Sequence, residues 1–219
     1  MEANVTEKRA DGSAGRSFRV TKEISLGRAG CDVNFPDDAL LAPRHASVLV
    51  REGKLYLKDL GSQNGTFIKQ RQDADLTSGD AFLLGRQLFR FTALSMDNAP
   101  TPNLAQMTAV WTGAPKIQRG PMTAKLEHIK LSGEVMEEFT LEKSEFSIGR
   151  AAGDLVCKDD PYMSGKHARI LLLPDRFVLQ DLQSRNGIYR RLRAEVELQD
   201  SDEFFVGEQM FRVEVKIIE

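Results

Sequence analysis

The stretch "SGKHARILLLPDRFVLQDLQSRNG" occupies residues 164–187. A Ser and a His three residues apart lead into the apolar run "ARILLL", which suits a buried strand. "PDR" at 174–176 is a short turn, "FVLQDL" alternates like a half-buried strand, and the stretch closes on Asn-Gly. A second stretch, "APRHASVLVREGKLYLKDLGSQNG" at 42–65, repeats the plan with "REGK" as its turn. His, Ala, Asp, Leu, Ser, Asn and Gly recur in register, but Ser164 is replaced by Ala42.

The repetition extends outward from these stretches. Gly27-Arg28 matches Gly149-Arg150, Gly85 matches Gly207, and Phe89 matches Phe211, all at an offset of 122 without a gap. Over roughly 70 positions there are about 24 identities. A period this long means duplicated domains, because solenoid units are far shorter. The expected units are residues 1–95 and 122–219, joined by a linker at 96–121. The segment around it, "SMDNAPTPNLAQMTAVWTGAPKIQRGPM", holds four of the eight prolines. Short strands at close spacing, without helical stripes, predict an all-β fold of two tandem β-sandwiches.

The totals narrow the function. A net charge of -2 argues against a general nucleic-acid binder. Two cysteines, Cys31 and Cys157, form no CxxC pair, which fits a cytoplasmic protein without disulfides. No apolar run reaches membrane length, so no membrane insertion is expected. None of the three His has a second His or Cys at ligand spacing, so neither a metal nor a cofactor is expected.

The recurring polar residues lie where strands end. Arg150 follows "FSIG", Ser164 precedes "ARILLL", and Arg185-Asn186 follow "VLQDL". Loops converging on one edge would offer a guanidinium, a hydroxyl, backbone N–H groups and a carboxamide, a donor set suited to a phosphate. Asn can also grip a peptide backbone.

The combined pattern resembles the forkhead-associated (FHA) domain: Gly-Arg, then Ser-x-x-His-Ala, then Asp-Leu-x-Ser-x-Asn-Gly. The likeness covers both units. It implies an eleven-stranded sandwich whose apical loops bind phosphothreonine peptides without catalysis or cofactor. By this resemblance Arg150 and Ser164 are phosphate ligands, and Asn186 holds the peptide backbone. Gly165 offers only a backbone N–H, Arg185 lines the groove, and Tyr162 is a candidate for reading peptide sequence. His45 and His167 are structural. Ile188 stands where the family usually has Thr.

The first unit keeps Arg28, Arg44, Asn64 and Thr66 but carries Ala42 and Pro43, so its phosphate site is degenerate. One lost hydrogen bond to a charged group costs about 1.5–3 kcal/mol, and Pro43 removes an N–H as well. The expected role is a phosphothreonine-dependent adaptor in Ser/Thr-kinase signalling. It would act mainly through the second unit, with a Ser/Thr kinase or its substrate as partner. The alternative is a phosphate-independent scaffold using the end of the last strand, "VEVKIIE", and the Trp111 region. A third idea is docking in cis of a phosphorylated Thr6 or Thr101. Ser164 and His167 could suggest a hydrolase, but no nucleophile elbow surrounds the Ser.

Overall fold

The computed structural model describes residues 2–9, 11–94 and 123–216, which form strands, turns and loops. Among them no helix is long and apolar enough to cross a membrane. The 96–121 linker, with Trp111 and Thr101, lies outside the described residues. Repeat one supplies β1 (Glu2–Lys8), β2 (Ala14–Arg19), β3 (Glu23–Gly27), β4 (Val33–Asn34), β5 (Ala46–Arg51), β6 (Lys54–Asp59), β7 (Thr66–Lys69), β8 (Ala74–Leu76), β9 (Ala81–Leu84) and β10 (Gln87–Leu94). Repeat two supplies their counterparts: β11 (Thr123–Ile129), β12 (Val135–Leu141), β13 (Glu145–Gly149), β14 (Leu155–Val156), β15 (Ala168–Leu172), β16 (Phe177–Asp181), β17 (Ile188–Arg191), β18 (Val196–Leu198), β19 (Glu203–Val206) and β20 (Gln209–Lys216).

The expected all-β duplication is present, but the repeats do not close on themselves. One five-stranded sheet runs β14-β13-β15-β16-β8 and the other β18-β6-β5-β3-β4. A ten-stranded sheet, β12-β11-β10-β9-β17-β7-β19-β20-β1-β2, is shared between them. The first sandwich therefore consists of β1–β7 completed by β18–β20. The second consists of β8–β17, continuous in sequence and inserted between β7 and β18. Among the described residues each contains ten strands, where the resemblance implies eleven; the β4–β5 and β14–β15 connections run as turns about Asp38 and Asp160.

Two short crossovers, 70–73 and 192–195, carry the exchange. They are braced symmetrically, since Gln70 N–H donates to the Ile188 carbonyl and Leu192 N–H to the Thr66 carbonyl, both at 2.8 Å. Between them β7 and β17 pair antiparallel, which joins the two halves of the long sheet. Arg71 forms an ion pair with buried Asp202, and its counterpart Arg193 does so with buried Asp80. β10 and β11 are also neighbours, with Leu94 the register partner of Thr123. The ends of the linker therefore meet within one sandwich and do not span two.

Both interiors draw on both repeats. Ala3, Val5, Leu26, Leu55 and Leu57 pack with Phe204, Phe211 and Val213 from the far end of the chain. Phe82, Phe89 and Phe91 of repeat one pack with Leu126, Ile148, Ile170 and Ile188 of repeat two. Because strand residues alternate between faces, Tyr189 points away from the core that holds Ile188. It joins Phe67, Ala81, Leu88 and Ile129 in a third cluster on the other face of the long sheet. Truncating one of the fully buried phenylalanines to Ala costs about 3–5 kcal/mol.

The expected scaffold surface at "VEVKIIE" is covered in part: Val213–Lys216 lie in β20 and pair with β1, while β19 pairs only with Gln209–Arg212. Thr6 is buried in β1 and hydrogen-bonded to Ser17, so it cannot dock as an exposed phosphothreonine without leaving the sheet.

Candidate functional site

The exchange leaves the motif loops with their own repeat. In the second sandwich Arg150 directly follows β13, Ser164 and Gly165 lie between β14 and β15, and Arg185-Asn186 lie between β16 and β17. Backbone bonds draw them together. Arg150 N–H donates to the Ser164 carbonyl at 2.8 Å, and Ala151 and Ala152 N–H donate to the Gly165 carbonyl, both at 3.1 Å. This approach requires Gly149, since a Cβ there would lie 2.3 Å from the Gly165 oxygen.

Ser164 Oγ accepts the Arg185 N–H at 3.0 Å, so the hydroxyl both fixes the β16–β17 loop and keeps its own proton to donate. Asn186 Nδ2 donates to the Tyr162 carbonyl at 2.7 Å, leaving its oxygen able to accept. The Gly165 N–H has no acceptor among the described residues. The Arg150 and Arg185 side chains are exposed, and among the described residues neither pairs with a carboxylate. Asp154, four residues from Arg150, is bound by Lys143 and Ser147, which hold its pKa at about 2. Asp181, at the end of β16, accepts the Ser184 N–H. The site thus presents two cations, a hydroxyl and an N–H to solvent, with their positions fixed by backbone bonds.

His167 is fully buried beneath these loops. Its Nδ1 accepts the Ser164 backbone N–H at 3.0 Å, and its Nε2 lies 3.1 Å from the Gly187 carbonyl, to which it donates. The ring is therefore a neutral strut, and it faces the Ser164 backbone, not the hydroxyl. His45 repeats the arrangement with Ala42 N–H and the Gly65 carbonyl. Burial lowers both imidazole pKa values, outweighing the carbonyl bonds that raise them.

In the first sandwich the same frame carries fewer donors. Arg28 N–H meets the Ala42 carbonyl at 3.0 Å, and Asn64 Nδ2 meets the Leu40 carbonyl at 2.7 Å. Ala42 has no side-chain oxygen to receive the Gln63 N–H, so the second tie between loops is missing as well as the donor. Pro43 and Arg44 are exposed beside it. Asp59 is the better braced of the two equivalent aspartates, since it also binds the Thr66 hydroxyl at 2.7 Å. At the matching position Ile188 is buried in the core.

Sequence reasoning missed one contributor. The β9–β10 hairpin of repeat one reaches the loop that holds Tyr162. Arg86 N–H and Gln87 Nε2 both bind Asp160 Oδ2, at 2.7 and 2.9 Å. Burial raises the Asp160 pKa, but these donors and backbone N–H groups of its own loop outweigh it and keep the carboxylate charged. Gly85 adopts φ +60°, and a Cβ there would lie 2.7 Å from Asp160, so Gly is required. The mirror contact joins Glu208 and Gln209 to Asp38. The Gly-x-Gln spacing shared by both repeats was the available signal. It could not say which copy each hairpin serves.

A family model for the FHA domain matches residues 24–85 and 146–207, together more than half of the chain. No curated protein matches the chain. Among solved structures, one described as a structural and functional analysis of phosphothreonine-dependent FHA domain interactions covers both chains fully, at 11% identity and a TM-score of 0.38. EmbR of Mycobacterium tuberculosis, solved in complex with a low-affinity phosphopeptide, is 28% identical with a TM-score of 0.24. That match covers 40% of this chain and 23% of the EmbR chain. The FHA domain of CT664 from Chlamydia trachomatis is 24% identical, covering 38% of this chain and 89% of its own, with a TM-score of 0.22.

Proposed function

The chain belongs to the FHA family, and from that premise we propose that it is a non-catalytic adaptor that captures phosphothreonine peptides at the site around Arg150, Ser164, Gly165, Arg185 and Asn186. One observation carries this reading. Hydrogen bonds through Ser164 hold three loops together, while the guanidinium of Arg150, the Ser164 proton and the Gly165 N–H are left to donate, without partners among the described residues. A phosphate dianion meets such donors with charge-assisted bonds, and Asn186 Oδ1 can accept from the peptide backbone. The site of the first sandwich, around Arg28, Ala42, Arg44 and Asn64, keeps its frame and binds phosphate weakly. The partner is a protein phosphorylated by a Ser/Thr kinase, or the kinase itself, in the cytoplasm.

Calorimetric titration of the full chain tests this reading with matched peptides carrying phosphothreonine, phosphoserine or unmodified threonine. Only the first binds tightly. Arg150→Ala and Ser164→Ala each weaken it by about 1.5–3 kcal/mol, ten- to 150-fold. Equal binding of the unmodified peptide would favour the scaffold reading instead.

A further inference from the structure

The strand exchange decides which charge stands beside the intact site. Arg86 of repeat one lies with its guanidinium carbon 4.4 Å from the ring centroid of Tyr162 of repeat two. Both side chains are exposed, and Arg86 pairs with no carboxylate among the described residues. Its backbone is fixed on Asp160, and the Tyr162 carbonyl is fixed on Asn186 Nδ2. A chain of contacts therefore runs from Asn186 to a further cation beyond Arg150 and Arg185. In the same loop Lys158 and Asp159 are both exposed and offset each other in charge. At the position equivalent to Arg86 the other hairpin carries Glu208, whose N–H binds Asp38 in the loop of the degenerate site that also holds Leu40. Had each repeat closed on itself, Glu208 would face Tyr162, and Arg86 would face the site without the hydroxyl.

Resting on the phosphothreonine reading, we propose that Arg86, stacked on Tyr162, is a specificity-determining residue that selects peptides carrying a second acidic group beside the phosphothreonine. The group is a carboxylate or a second phosphate. The exposed guanidinium meets it beside Tyr162, whose ring keeps the planar cation from folding away.

The test uses the full chain and phosphothreonine peptides that place Glu, phosphoserine, Ala or Lys in turn at each flanking position. At one position Glu binds about fivefold tighter than Ala, as a partly exposed ion pair allows, and Lys binds weaker than Ala. A stronger gain with phosphoserine than with Glu identifies a doubly phosphorylated ligand; the reverse identifies an acidic motif. Arg86→Ala abolishes the preference and Arg86→Glu inverts it toward Lys. Both variants keep Arg150-dependent phosphothreonine binding and the wild-type melting temperature. If binding depends on Arg150 but Arg86→Glu has the same charge preference as wild type, the inference falls alone. If no phosphothreonine peptide binds in an Arg150-dependent way, the site and the inference fall together.

Discussion

Under the proposed function Ser164 serves both frame and ligand. Its Oγ ties Arg185 to the β14–β15 loop, and its proton remains to donate. The frame of the first sandwich forms with Ala42 at the equivalent position, so the fold does not need the hydroxyl, but the loop tie disappears with it. Restoring both groups in the first sandwich is therefore informative. Ala42→Ser combined with Pro43→Gly should raise phosphothreonine affinity at that site about tenfold or more, read in a chain whose other site carries Arg150→Ala. The histidines make a separate prediction. Their folded pKa values lie below the ordinary 6.5, so the unfolded chain binds protons that the folded chain refuses. Their stabilising contribution is complete above pH 6.5 and is lost as pH falls from there toward the folded values. The melting temperature should drop on acidification from about pH 6.5 to 5. The drop should shrink when both histidines are replaced by Asn, a change measurable by circular dichroism.

At the scale of elements, the strands and turns were largely legible. The apolar runs and alternation of 164–187 became β15 and β16, "PDR" became their turn, and "MFRVEVK" fell within β20. The loops bearing Arg150, Ser164 and Asn186 converge because β13, β15 and β16 are neighbours in one sheet and β17 follows the last of these loops. Strand partnership was not legible. β8 and β18 are equivalent copies, as are β9 and β19, so periodicity and turn chemistry permit pairing with either repeat. The difference shows only where the copies diverge, as at Arg86 and Glu208. The family resemblance marks Tyr162 as a candidate for reading peptide sequence, but its neighbour across the exchange was not legible, since the two stand 76 positions apart in different repeats.

For the whole molecule, the central claim is that two sandwiches share one chain by exchange and that one of them reads phosphothreonine. Neither repeat supplies all the strands of its own sandwich. The 95–122 segment connects adjacent strands of the second sandwich, so cutting it should leave the molecule assembled. The most direct measurement introduces a specific protease site into that segment. The cleaved protein is then passed without denaturant over an immobilised phosphothreonine peptide, and the retained chains are resolved on a denaturing gel. The account predicts that both halves are retained together, and that Arg150→Ala releases both. Retention of the C-terminal half alone would contradict the exchange, and passage of both halves through the column would contradict the phosphothreonine site.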